Sequence, residues 1–80
     1  KLQIAGALIP YDDTYLSGEM SDCSFSMFYF LEGRHVGTAS VNRPSDHMKS
    51  RKLLANGSML KKSDMEKAGF DFASFVKKSN

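Results

Sequence analysis

The residues between Cys23 and Val41 restrict the fold more than any other part of the chain. Cys23–Leu31 alternates with a period of two, placing Phe25, Met27, Tyr29 and Leu31 on one face and Ser24, Ser26, Phe28 and Phe30 on the other. Glu32–Gly33 then offers a two-residue turn, because glycine accepts the positive φ that a tight hairpin needs. His35–Val41 is the returning strand. A two-residue loop pairs Leu31 with Arg34, Phe30 with His35, Tyr29 with Val36 and Phe28 with Gly37. That register sets Phe25, Met27 and Tyr29 beside Val36, and Phe28 and Phe30 beside Gly37, Ala39 and Val41. Neither face is purely polar, whereas an antiparallel sheet standing alone usually keeps one face wet. A helix over the Phe28 face, admitted by small Gly37 and Ala39, leaves the other face to meet further protein. Phe25, Met27, Tyr29 and Val36 are therefore the interface candidates, facing either a parent protein or a second copy of the chain.

Around the hairpin the chain reads as strands first and helices second, an α+β order with an antiparallel sheet. Leu2–Ala5 is a short apolar strand ending at Gly6. Pro10 and Asp12–Asp13 mark a break, and Thr14–Glu19 alternates as another strand, with Gly18 at a bulge. Pro44 suits the first turn of a helix, and Ser45 and Asp46 suit its positive end. Residues 44–55 form the principal helix, with Met48, Leu53, Leu54 and Ala55 as its apolar stripe, Lys49, Arg51 and Lys52 facing water, and Asn56–Gly57 as its stop. Ser63-Asp64-Met65-Glu66 matches a capping box and predicts a short second helix near 64–68. Phe72, Phe75 and Val76 are at helical spacing and dock a last turn, with 77–80 as a frayed tail.

Eighty residues make a single domain, 1–80, and a chain of this size buries only about 60% of its unfolded surface. The core is small, so support from neighbouring protein is expected. The uncharged stretches Leu2–Tyr11 and Cys23–Leu31 fall short of the ~18 apolar residues of a membrane span. Gln3, Pro10 and the following acidic pair argue against a signal peptide. The single cysteine, Cys23, forms no internal disulfide and suits a reducing, intracellular compartment, cytoplasmic or mitochondrial. Cys23 reads as a small buried hydrophobe, the five methionines as core filler, and His35 and His47 as solvent-exposed. A Cys23–His35 dyad would need hydrogen-bond reach, but the two residues lie a strand's length apart. No ligand spacing for a metal exists, and no glycine-rich phosphate loop. The chain carries no catalytic, cofactor-binding or metal-binding residue of its own. Its net charge of +2 conceals one lysine against five carboxylates in residues 1–33 and ten Lys/Arg against four carboxylates in residues 34–80. The basic half reads as a solvated helix face, since no aromatic interleaving of the kind that grips nucleic acid accompanies it.

Three segments in order resemble one family. Lys1-Leu2-Gln3-Ile4-Ala5-Gly6, then Ser24-Phe25-Ser26-Met27-Phe28-Tyr29 with Leu31-Glu32-Gly33-Arg34, then Val41-Asn42-Arg43-Pro44 with Asp46, Met48 and Arg51-Lys52-Leu53-Leu54, are similar to the C-terminal domain of FAD-dependent NAD(P)H oxidoreductases. These are the ferredoxin, rubredoxin and putidaredoxin reductases and the apoptosis-inducing-factor-like proteins. The resemblance runs from Lys1 to about Gly57. It implies an accessory domain, without chemistry of its own, that packs on the N-terminal FAD and NAD domains of the same protein. There it helps shape the surface where a ferredoxin-like iron–sulfur protein docks for electron transfer. It implies FAD and NAD(P)H in the parent and none in this chain, with any flavin-contacting aromatic segment lying upstream of Lys1. The alternative is a stand-alone α+β interaction module unrelated to redox chemistry.

Overall fold

The hairpin forms where its turn sequence puts it. In the computed structural model, which describes residues 1–6 and 10–79, β1 is Leu2–Ala5, β2 Asp13–Glu19, β3 Ser24–Leu31 and β4 Arg34–Val41. Glu32 and Gly33 both take positive φ, 51° and 83°, the signature of the turn that matches strand twist. The space beside Gly33 is open, with no neighbouring atom within 4 Å of where a Cβ would stand, so only backbone strain opposes a side chain there. Gly33→Val is expected to cost roughly 1–2 kcal/mol, seen as a lowered denaturation midpoint.

The four strands form one antiparallel sheet in the order β1-β4-β3-β2. Leu31 pairs with Arg34 and Phe30 with His35, as the turn dictates, but Tyr29 then pairs with Gly37 and Phe28 with Thr38. Val36 is an extra residue, a β-bulge. This corrects the expected pairing of Tyr29 with Val36 and Phe28 with Gly37. The cause is tertiary. His35 and Thr38 are both buried, yet residues three apart on a regular strand point to opposite faces. One added residue turns both inward, and His35 Nε2 then meets Thr38 Oγ1 at 2.7 Å. Ala39 and Val41 consequently share the face of Met27 and Phe25, not that of Phe28.

Helix α1, Pro44–Ala55, has the expected bounds and lies over the Phe28 face. Its contact with the sheet has two halves. The N-terminal half rests on a hydroxyl seam: Ser26 Oγ and Ser40 Oγ are 2.9 Å apart, and Ser26 Oγ donates to Asp46 at 2.9 Å. Arg43 pairs with the same Asp46 carboxylate at 3.2 Å. The serines at 26, 40 and 50, all fully buried, give the close approach assigned in the sequence to Gly37 and Ala39. The C-terminal half brings Leu53 into the core with Phe28, Phe30, Leu60, Met65 and Val76. Met48, expected in the apolar stripe, is 61% exposed, and Ala55 is exposed too.

After Asn56–Gly57 the chain returns to β4. His35 N–H donates to Leu60 O at 2.8 Å, Lys62 N–H donates to Gly33 O at 3.0 Å, and Arg34 bridges Lys61. The outer edge of β4 is thus shared between β1 along its second half and this segment at its start. Helix α2, Lys62–Met65, begins two residues before the expected start at 64 and ends three before the expected 68, because the carboxylate that takes the N-cap N–H is Asp64, at 3.0 Å from Lys61 N, and the N-cap is Lys61 rather than Ser63. Helix α3, Phe72–Lys78, continues past the point where fraying was expected, and Ser79 N–H closes it on Phe75 O and Val76 O; Asn80 lies outside the described residues.

Candidate interaction surfaces

The residue types that carry chemistry are kept apart. Cys23, expected to be buried, is exposed at a left-handed position (φ 51°) closing the 3₁₀ turn Met20–Asp22. His35 and His47, expected in solvent, are both buried. His35 sits at the other end of β3 from Cys23, between the rings of Phe28 and Phe30, with Nδ1 2.8 Å from Ser58 Oγ. Burial pushes its imidazole down to about 4, against a smaller opposing effect of the Gly37 backbone. This histidine joins the hairpin to the loop after α1 and has a structural role. No group of three or more His, Cys, Asp or Glu side chains positioned to hold a metal occurs among the described residues. Nor is any described helix long and apolar enough to cross a membrane. Of the methionines, Met65 fills the core while Met20, Met48 and Met59 stand exposed, correcting their reading as filler.

What the fold does present is two surfaces. The first is the sheet face away from α1. Direct cross-strand partners line up in rows: Leu2, Val41, Phe25 and Gly18; Ile4, Ala39, Met27 and Leu16; Gly37, Tyr29 and Thr14. Partners directly opposite share a face, so these rows form an apolar face across all four strands. Phe25, Met27 and Tyr29 are half-buried, while Leu2 and Ile4 on the edge strand are 62% and 58% exposed. Tyr11 packs edge-on against Tyr29, with ring centroids 4.7 Å apart. Three of the four candidate interface residues therefore lie together on this face, which no described helix covers; Val36 is the half-buried extra residue of the bulge. Leu2, Ile4, Leu16, Ala39 and Val41 complete the face and were not singled out in the sequence. The alternation of Leu2 with Ile4 was the available signal.

The second surface lies between α1 and α3. Met48, Ala73 and Val76 floor an open groove of about 500 Å³, and Lys49, Lys52 and Lys77 rim it. A neighbouring hollow on the other side of Met48 and Lys52 is lined by Gly6, Arg51, Leu54 and Ala55. Among the described residues, no carboxylate lines either hollow. The one acid of α1, Asp46, is turned beneath the helix toward Arg43 and Ser26. The basic half of the sequence is thus not an evenly solvated face but a rim around exposed apolar surface.

Residues 1–76 match the family described as Reductase C-terminal. The chain belongs to this reductase C-terminal family. Among curated relatives, rhodocoxin reductase of Rhodococcus erythropolis is 46% identical over 55 residues, 69% of this chain and 13% of that protein. The 5,5'-dehydrodivanillate O-demethylase ferredoxin reductase subunit of Sphingobium sp. is 32% identical over 57 residues, 71% of this chain and 14% of that protein. Among solved structures, the ferredoxin reductase for the CYP199A2 system from Rhodopseudomonas palustris has TM-score 0.82 at 31% identity, over 94% of this chain and 19% of that one. Putidaredoxin reductase, in its covalent complex with putidaredoxin, has TM-score 0.82 at 19% identity, over 98% of this chain and 19% of that one. The four-stranded antiparallel sheet with its three helices is therefore the fold of a reductase C-terminal domain, as the resemblance implied. The chain spans less than a fifth of the length of these relatives.

Proposed function

We propose that this chain is the accessory C-terminal domain of an FAD-dependent NAD(P)H oxidoreductase that passes electrons to a ferredoxin-like iron–sulfur protein inside the cell. The observation that supports this reading is the family match over residues 1–76 in a chain whose fold follows a ferredoxin reductase at 31% identity. The chain's own residues do not fit a dinucleotide. Its sequence has no glycine-rich phosphate loop, and the N-terminus of α1 is closed by Arg43 and its own Asp46. FAD and NAD(P)H belong to the parent's other domains, and no step of hydride or electron transfer is assigned to a residue here.

The domain's contribution is a docking surface. The Lys49, Lys52 and Lys77 rim attracts carboxylates of the iron–sulfur partner, and exposed Met48 supplies apolar contact within it. Charges of this kind act chiefly on encounter and are screened by salt. The double variant Lys49→Glu/Lys77→Glu in the full-length reductase is expected to raise KM for the iron–sulfur protein roughly tenfold and to flatten its salt dependence. Reduction of ferricyanide, a small acceptor that needs no protein docking, should be unchanged. Steady-state kinetics with both acceptors tests this. An unaltered KM for the protein acceptor would remove the groove from the docking surface.

A further inference from the structure

We infer that Asn42 is a positioning residue: its side chain clamps the polypeptide where it enters the domain at Lys1, and its backbone sets the start of the helix that carries the lysine-rimmed groove. This rests on the reading of the chain as the C-terminal domain of a larger reductase, in which Lys1 is preceded by further polypeptide. It adds how the groove is held relative to that incoming chain.

Asn42 completes the ladder between β1 and β4. Leu2 lies opposite Val41, so Lys1 and Asn42 are the next pair. Asn42 N–H donates to Lys1 O at 2.9 Å. A hydrogen-bonded antiparallel pair exchanges two bonds, the second running from the Lys1 nitrogen to the Asn42 carbonyl. Asn42 leaves strand geometry, at φ 55°, to start α1, and its side chain takes the carbonyl's part: the Lys1 nitrogen donates to Asn42 Oδ1 at 2.6 Å. The other end of the amide reaches the opposite way, Nδ2 donating to Cys23 O at 2.7 Å. One side chain thus joins the start of β1, the end of β4 and the start of β3. Asparagine suits all three demands, since it tolerates left-handed backbone and carries both an acceptor and a donor. Arg43 continues the clamp. Its guanidinium reaches Ser24 and Asp46, and a Cβ at residue 18 would collide with it, so Gly18 leaves it room. The two residues before Pro44 therefore tie the first turn of α1 to the strands around it. Met48, Lys49 and Lys52 follow on the same helix within three turns, so the incoming chain and the groove are held through one residue.

Hydrogen exchange and kinetics on the full-length protein test this. In the unsubstituted protein the Lys1 amide should exchange at least about tenfold more slowly than in the unfolded chain; an unprotected amide would overturn the inference before any variant is made. Asn42→Gly keeps the left-handed backbone and loses both side-chain bonds. Its Lys1 amide should exchange about tenfold faster than in the unsubstituted protein, the effect of one modest hydrogen bond. KM for the iron–sulfur protein should rise roughly threefold to tenfold, with its salt dependence retained because the lysines are untouched. Ferricyanide reduction should be unchanged, a split that a general loss of stability would not produce. Asn42→Asp keeps the acceptor for Lys1 and should restore most of the protection and most of the KM. Faster exchange with an unaltered KM would show that the clamp positions nothing. Loss of flavin and of both activities together would show a structural role alone, and an aspartate variant no better than glycine would remove Oδ1 from the role; each overturns the inference. Absence of flavin from the unsubstituted protein would instead remove the reductase reading, and exchange at Lys1 would still decide the clamp.

Discussion

Phe28→Ser should remove most of the stability of this domain. Phe28 is 1% exposed, packs edge-on against Phe72 with ring centroids 5.1 Å apart, and also meets the His35 ring. Truncating a buried phenylalanine typically costs about 3–5 kcal/mol through lost transfer energy and a residual cavity, and serine adds a hydroxyl without a partner. A domain of this size has only ~4–12 kcal/mol in total. Met27→Ser, one residue away on the opposite face, should cost about 1 kcal/mol in the chain by itself, since its side chain is only half-buried. Denaturant midpoints of the two variants check this. The reverse order would place the helical layer on the Met27 face.

Acid should weaken the fold through His35. Its folded-state value of about 4 lies below the usual 6.5, so between these values the unfolded chain binds a proton that the folded chain does not. Stability contributed by neutral His35 is complete above pH 6.5 and is lost as the pH falls toward 4. The full difference amounts to about 3 kcal/mol. Asp13, held below its ordinary range chiefly by its hydrogen bond from Lys62, adds a loss at lower pH of the same sign, from a solvent-exposed position. The comparison that isolates the histidine is the denaturation midpoint at pH 4.5 and 7.5 in the parent chain and in His35→Gln. The variant should lose most of the slope between those two values; an identical slope would show that another group carries it.

Much of this fold was legible because its signals are local. Glu32–Gly33, Pro44 and Asn56–Gly57 each act within a few residues, and the hairpin turn and both ends of α1 fall where they indicate. The bulge at Val36 was not legible. It answers a demand made across the fold, that His35 and Thr38 both face inward and bond each other. The same long-range demand buries His35, and the packing of α1 on the sheet buries His47; composition alone places both outside. Met48 illustrates the opposite failure: apolar on a helix, it was counted toward the core, yet the face of α1 that meets the sheet is carried by His47, Ser50 and Leu53. Of the candidate interface, Phe25, Met27 and Tyr29 were readable from alternation alone. Leu2, Ile4 and Leu16 join them only once β1 and β2 are known to flank the hairpin. The lysine groove needs α3 laid beside α1, a contact that no window of sequence contains.

The division of the β4 edge between β1 and the segment 58–62 bears on how safely such a chain exists in a crowded cell. An unpaired strand edge is a template on which other chains add, the first step toward fibrils. Here no long smooth edge is offered. β1 has four residues, and the segment reaching Lys61 and Lys62 brings basic side chains to its end of the sheet. β2 is longer, but it starts at Asp13 next to Asp12 and ends at Gly18, whose φ of 96° departs from extended geometry, and charged Glu19. The apolar sheet therefore exposes a face that suits a folded neighbour, while its margins discourage the addition of another strand.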